Sequence, residues 1–237
     1  VKEIMSAMLS EDKAGNWQIF PDAEAVAKAA LHLILQAAEQ AIASEGIFRI
    51  VLAGGTTPEK VYRLLVGQAC DWQRWQLYLG DERCLAQDDP ERNSVMIRQC
   101  LLDKVGIPPE NIHFIPAELG AEAAAATYAA QFTDKLPFHL VMLGMGEDGH
   151  TASLFPGHVH NQQELVHAVH NAPKPPPERV SLSQYCLSQT QRLLVLVTGV
   201  GKHDAVKQWQ AGHDLPVARI TSYQQTDILL DKAAAGA

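Results

Sequence analysis

The chain has 237 residues, enough for one large α/β domain, or at most two small ones, with a substantial core. Its formal net charge of −8 argues against nucleic acid or an anionic membrane as the main partner, while leaving room for a locally basic pocket that takes a small anion. Cys70, Cys84, Cys100 and Cys186 lie too far apart for a zinc knuckle or a C-x-x-C redox motif, and read as reduced thiols in a cytoplasmic protein.

The N-terminal "VKEIMSAMLSEDKAG" lacks the basic-then-apolar order of a signal peptide, and a native start upstream of Val1 is expected. No apolar run approaches the ~18–20 residues of a membrane span. Asp22 is placed to N-cap a helix through "AEAVAKAALHLILQAAEQAIA", ended by Gly46. "IFRIVLA" follows as a strand, then "GGTTP" and a helix "EKVYRLL". "WQLYLG" is a strand that breaks at "DER". "NSVMIRQCLLDKVG" is a helix, capped by Asn93 and closed by Gly106, and "IHFIPAE" is a short strand. "GAEAAAATYAAQFTDK" is a helix and "FHLVMLG" an apolar strand. "ELVHAVH" and "RLLVLVTG" are strands, "KHDAVKQWQAG" a helix and "PVARI" a late strand. The prolines of "NAPKPPPERV" suit a rigid loop, and "KAAAGA" reads as a fraying end.

Strands and helices in this rhythm imply βαβ units and a mostly parallel sheet covered on both faces. The expectation is one α/β domain spanning 1–237. In such a sheet ligands bind beyond the carboxyl ends of the strands. Four strands end in glycine-rich or charged loops, "AGGTTP", "LGDER", "LGMGEDGH" and "TGVGK", all on one sheet edge.

Each loop has a plain and a functional reading. In "AGGTTPEK", Thr56 or Thr57 can cap the helix, with Glu59 three residues after Thr56 as in a capping box; Gly54 and Gly55 also expose N–H groups to an anion beside a positive helix end. Asp81, Glu82 and Arg83 make either a solvated turn with an internal ion pair or a cleft from which a guanidinium fork binds phosphate. Lys202, near a helix start, is either a surface lysine or a group sharing an anion with that terminus.

"GMGEDGHTASLFPG" contains Gly144, Gly146 and Gly149 in G-x-G-x-x-G spacing. A dinucleotide site needs a continuing helix after the third glycine, but Pro156 and Gly157 cut any helix short, and Glu164 precedes the next strand instead of ending it. The informative pair is Asp148 and His150, a titrating imidazole with a carboxylate beside it. His158, His160, His167 and His170 lack the carboxylate or cysteine that would complete a metal set, and His167 and His170 fall on opposite strand faces. Ser153 has no G-x-S-x-G elbow around it, so a serine nucleophile is not expected.

The segments "LAGGTTPEKVYRLL", "YLGDERCL", "NSVMIRQCLL", "LVMLGMGEDGHTASLFPGH", "PKPPPERVSLS" and "LVLVTGVGKHDAV", in this order, resemble the 6-phosphogluconolactonase family, whose fold is similar to glucosamine-6-phosphate deaminases and ribose-5-phosphate isomerases. The resemblance implies a Rossmann-like α/β/α sandwich. It also implies hydrolysis of 6-phospho-D-glucono-1,5-lactone to 6-phosphogluconate in the oxidative pentose phosphate pathway, without metal or coenzyme. The expected partner is the phosphorylated lactone alone, with the chain a monomer or weak homo-oligomer. On this reading His150 is the general base and Asp148 orients it or the loop. Gly54, Gly55, Thr56, Thr57, Asp81, Arg83, Gly146, Arg179 and Lys202 would bind substrate, with Arg179 behind Arg83 and Lys202.

Two alternatives are a deaminase-like sugar-phosphate isomerase and a non-catalytic sugar-phosphate-binding module. The deaminase pattern has a glutamate five residues after the histidine, where this chain has Phe155, which cannot do proton work. Intact Asp148 and His150 speak against a pure binder. The chain departs from the family at Ser181-Leu182-Ser183, conservatively, and at His203, which would alter the charge beside Lys202. The tail beyond Tyr223 matches poorly.

Overall fold

A computed structural model describes residues 15–237 apart from 133, 160 and 162. The N-terminal stretch before Gly15 and His160 lie outside the described residues. The strands are β1 (Asn16–Phe20), β2 (Phe48–Leu52), β3 (Trp75–Leu79), β4 (Asp81–Arg83), β5 (Ile112–His113), β6 (Phe138–Gly144), β7 (Val166–Val169), β8 (Arg179–Leu182), β9 (Thr190–Val197) and β10 (Gln225–Asp231). The α-helices are α1 (Ala23–Glu45), α2 (Thr56–Leu65), α3 (Asn93–Cys100), α4 (Ala121–Ala129), α5 (Gln184–Ser188), α6 (His203–Gln210) and α7 (Lys232–Ala235).

Seven strands form one sheet in the order β1-β10-β9-β6-β2-β3-β5, parallel at every pairing. The expected α/β architecture is therefore present. Strand β6 is central because its sequence is apolar on both faces, and Phe138 through Leu143 are all buried. From β2 the chain steps outward through β3 to β5, then returns with β6 on the other side of β2. That reversal is a topological switch point, where a crevice opens at the carboxyl edge. Helix α1 covers one face through Val26, Ala27, Ala30, Ile34, Ala37, Ala38 and Ala41, the stripe that a 3.6-residue period places toward the sheet. Asp22 caps it by accepting from Ala25 N at 2.8 Å, and Gly46 closes it at φ 78°. Among the described residues no helix is long and apolar enough to cross a membrane.

Several local expectations are corrected. Helix α2 starts at Thr56 with Gly55 as N-cap, and no capping box forms: the Thr57 hydroxyl meets that of Thr198 at 2.5 Å, and Glu59 pairs with Arg63. Asn93 is the first residue inside α3, not its cap, and the helix ends at Cys100 well before Gly106. The N-terminus of α3 is capped from a distance by Glu82, whose carboxylate accepts from Asn93 N and Ser94 N, both at 2.8 Å. The "DER" break is itself strand β4. It joins β8 and β7 in a three-stranded antiparallel sheet, so Arg179 and Val180 leave the proline-rich loop for a strand. "PVARI" is not a strand: Pro216–Arg219 is a single 3-10 turn, started by a proline and braced by an Arg219–Asp214 ion pair. The "KAAAGA" end is folded too, with α7 docked, Ala234 fully buried and Asp231 as its cap.

Candidate active site

Strands β9, β6, β2 and β3 are neighbours, so their four loops converge by topology alone. They enclose a cavity of about 270 Å³, near the lower end of the ~300–1,000 Å³ typical of small-molecule sites. Gly54, Gly55, Thr56, Thr57, Asp81, Arg83, Gly146, His150, Arg179 and Lys202 all line it. Asp148 stands behind His150 and is not part of the lining.

His150 Nδ1 lies 2.5 Å from Asp148 Oδ1, and the same oxygen is 3.3 Å from His150 N. A carboxylate can only accept, so Nδ1 carries the proton and Nε2 is left with a free lone pair. The loop makes this pair possible by omitting one side chain: a Cβ on Gly146 would fall 2.0 Å from His150 Nδ1 and 2.7 Å from Asp148 Oδ1. After Gly149 the chain makes a tight Thr151–Leu154 bridge, not a helix, so the G-x-G-x-x-G spacing does not build a dinucleotide loop. Phe155, buried, packs against the imidazole with ring centroids 4.7 Å apart. Burial holds the His150 pKa below the ordinary histidine value, although the Asp148 hydrogen bond and charge pull the other way. Burial also pushes the Asp148 carboxyl upward, but its hydrogen bond and attraction to His150 outweigh this and leave it low.

The cationic side of the cavity is built by the small antiparallel sheet. Arg83 and Arg179 are directly opposed across β4 and β8, a like-charge pairing that costs ~0.2–1 kcal/mol where nothing neutralises it. Arg83 Nη1 donates to Glu91 O at 2.6 Å, while its Nε is buried with no hydrogen-bond partner among the described residues. Arg179 is gripped by three carbonyls, of Lys174, Pro175 and Pro176, and its guanidinium lies 5.6 Å from the Phe155 ring centroid. Arg179 therefore lies in the cavity wall, not behind it. Lys202 is half-buried, and burial lowers its pKa; Glu147 opposes that shift and Lys174 adds to it. Its loop is held by Asp231, whose two carboxylate oxygens each accept from Gly199 N at 3.0 Å. His203 does not crowd Lys202: its ring packs over Gly236, with Nδ1 3.3 Å from Ala234 O.

Asp81 is buried and accepts from Ser153 Oγ at 2.6 Å and Asn93 Nδ2 at 3.2 Å. Ser153 is thus committed to a structural bond. Burial raises the Asp81 pKa, with Ser153 and then Arg179 opposing. Gly54, besides lining the cavity, makes room for Asn93: a Cβ there would meet Asn93 Oδ1 at 2.0 Å. Asn93 and Lys174 line the cavity without having been singled out in the sequence. Lys174 was legible only as one residue of a proline run, and Asn93 only as a helix start. Of the other histidines, His167 pairs with Glu164 at 3.0 Å and His170 with Glu122 and Glu178. Among the described residues no three His, Cys, Asp or Glu side chains are grouped to hold a metal.

The family model for "Glucosamine-6-phosphate isomerases/6-phosphogluconolactonase" matches residues 21–229, and the chain belongs to this family. Within it, the chain is 36% identical to the 6-phosphogluconolactonase of Mycobacterium leprae, over 92% of this chain and 96% of that protein. It is 37% identical to the Streptomyces coelicolor 6-phosphogluconolactonase, over 90% and 91% of the two chains. The crystal structure of Thermotoga maritima 6-phosphogluconolactonase superposes with a TM-score of 0.85 at 28% identity, covering 92% of this chain and 99% of that one. A monomeric glucosamine-6-phosphate deaminase shares the fold at a TM-score of 0.81, with 19% identity.

Proposed function

We propose that this chain hydrolyses 6-phospho-D-glucono-1,5-lactone to 6-phospho-D-gluconate, the activity for which its Mycobacterium leprae and Streptomyces coelicolor relatives are named. The observation that carries the mechanism is the His150–Asp148 pair, which leaves one imidazole nitrogen free in a cavity rimmed by Arg83, Arg179, Lys174 and Lys202. His150 Nε2 takes a proton from water, and the hydroxide attacks the lactone carbonyl carbon. The carbonyl π pair moves to oxygen, giving a tetrahedral oxyanion. N–H groups of the glycine loops and the start of α2 stabilise it by about 3–4 kcal/mol per well-placed donor. Collapse re-forms the carbonyl and breaks the bond to the ring oxygen, which receives the proton from imidazolium and becomes the 5-hydroxyl. Asp148 fixes the tautomer and balances the transient positive charge. The cations hold the remote phosphate and so place the carbonyl over His150. Asp81 accepts from a sugar hydroxyl.

The reading needs no metal or coenzyme. Residues 1–237 act as one domain, in the cytoplasm, as a monomer or weak homo-oligomer. The deaminase alternative lacks its carboxylate, since Phe155 is apolar, buried and packed against His150. The test is hydrolysis of gluconolactone with and without the 6-phosphate, by native protein and His150→Ala, with ammonia release from glucosamine 6-phosphate as control. Equal turnover of both lactones would refute the phosphate assignment, and near-native turnover by His150→Ala would refute the base.

A further inference from the structure

The segment Asn171–Glu178 is a loop that supplies the cavity with Lys174 and grips Arg179 through three of its carbonyls. It is cinched at its neck by Ala172 N donating to Pro177 O at 2.9 Å. Beside that neck sits His170, directly after β7. Its Nδ1 is 2.5 Å from Glu178 Oε2, and its Nε2 is 2.9 Å from Glu122 Oε1 on α4. Carboxylates only accept, so a neutral imidazole, with one N–H, satisfies one of them; both bonds require the imidazolium. Glu122 lies on α4, which packs against β7 and β8, whereas Glu178 immediately precedes Arg179 on β8.

We propose that His170 is a positioning residue: as an imidazolium it latches the Asn171–Glu178 loop to α4, and its deprotonation loosens the wall that presents Lys174 and Arg179 to a bound phosphate. The charged and titratable groups facing it are Glu122 from α4 and Glu178 from the neck of the loop. Cys84, whose N–H donates to Glu178 O, is held near 11 by burial and then by Glu178, and stays neutral through the relevant range. The hydrogen bonds of Glu122 and then Glu178 raise the His170 pKa. The latch is therefore complete below the ordinary histidine value of about 6.5 and is lost as pH rises through the elevated one.

The latch has two tests, and only the second uses the lactonase reading. In the first, on ligand-free protein, the His170 imidazole is titrated by NMR and amide exchange of residues 171–178 is followed from about pH 6 to 9. Its midpoint should lie above that of an ordinary histidine, exchange should rise through that midpoint, and Glu122→Gln should lower it. An ordinary midpoint, or exchange indifferent to it, overturns the latch. In the second, affinity for inorganic phosphate and KM for the phosphorylated lactone are compared in native protein and in His170→Arg, whose fork holds both carboxylates at any pH. Native protein should weaken about two- to tenfold relative to the arginine variant as pH rises, as two exposed ion pairs allow, with kcat unmoved. A constant ratio overturns the coupling to the cavity. Absent hydrolysis with the phosphate ratio still pH-dependent would refute the lactone reading and uphold the latch.

Discussion

Strand β6 begins beside one buried histidine and is followed by a loop that carries a second, half-buried one. His139, at its start, has Nδ1 accepting from Arg49 N at 2.8 Å and Nε2 3.0 Å from Glu45 Oε2, so both nitrogens are engaged. His150, beyond its end, has one nitrogen on Asp148 and the other free in the cavity. For both, burial is the largest influence and holds the pKa below the ordinary value, and a carboxylate opposes it. Burial and a shifted pKa therefore do not separate the structural histidine from the proposed base. What separates them is a nitrogen without a hydrogen-bond partner among the described residues, and the end of the sheet on which it falls.

The sharpest way to break this comparison is to exchange the two losses. His150→Gln should cut kcat on the order of 10²- to 10⁴-fold with KM nearly unchanged, as removal of a general base does. A Gly146→Ala change leaves every polar group in place but drives a methyl into the His150–Asp148 contact, and should cost about 10²-fold in kcat through misplacement. Replacing Arg179 with Ala should raise KM on the order of 10- to 100-fold, the worth of a lost charge-assisted bond, with a smaller effect on the unphosphorylated lactone. His139→Ala should spare kcat within about twofold, yet lose about 1–3 kcal/mol in a denaturant titration, because Arg49 N is left buried and unpaired. The smallest effect is a shift of profile. The acid limb of kcat/KM should fall below about pH 6.5, since the His150 pKa is depressed and the base stays neutral further into acid. Asp148→Asn removes the interaction that raises that pKa, so its limb should move further down; a limb that moves up would contradict the pairing.

Much of this was legible in the sequence because it depended on local pattern. Apolar runs marked the central strands, and the loops after them fell on one edge by topology. Asp148 and His150 stood within one tight turn. What escaped depended on distant partners. Strand β4 is short and wholly charged, and β8 is short and preceded by prolines, so they look like loops until each supplies the other's hydrogen bonds. Glu82 caps α3 from another element, and the mutual fit of Gly54 and Asn93 joins segments 39 residues apart. Lys174 reaches the cavity because its loop is folded back by Arg179. Strand β10 was missed because a short apolar run flanked by Asp227 and Asp231 looks like a surface turn, until those carboxylates are seen taking side-chain amides and backbone N–H groups.

Asp231 carries a practical consequence. It closes the last strand, caps α7 and suspends Gly199, three residues from Lys202, yet it lies beyond the residues matched by the family model. A stop or an insertion placed at Asp231 would disturb the loop that carries Lys202 as well as α7. Trimming from Asp231 onward would slacken the lysine-bearing loop from a position that neither a motif search nor a map of cavity-lining residues would mark as sensitive.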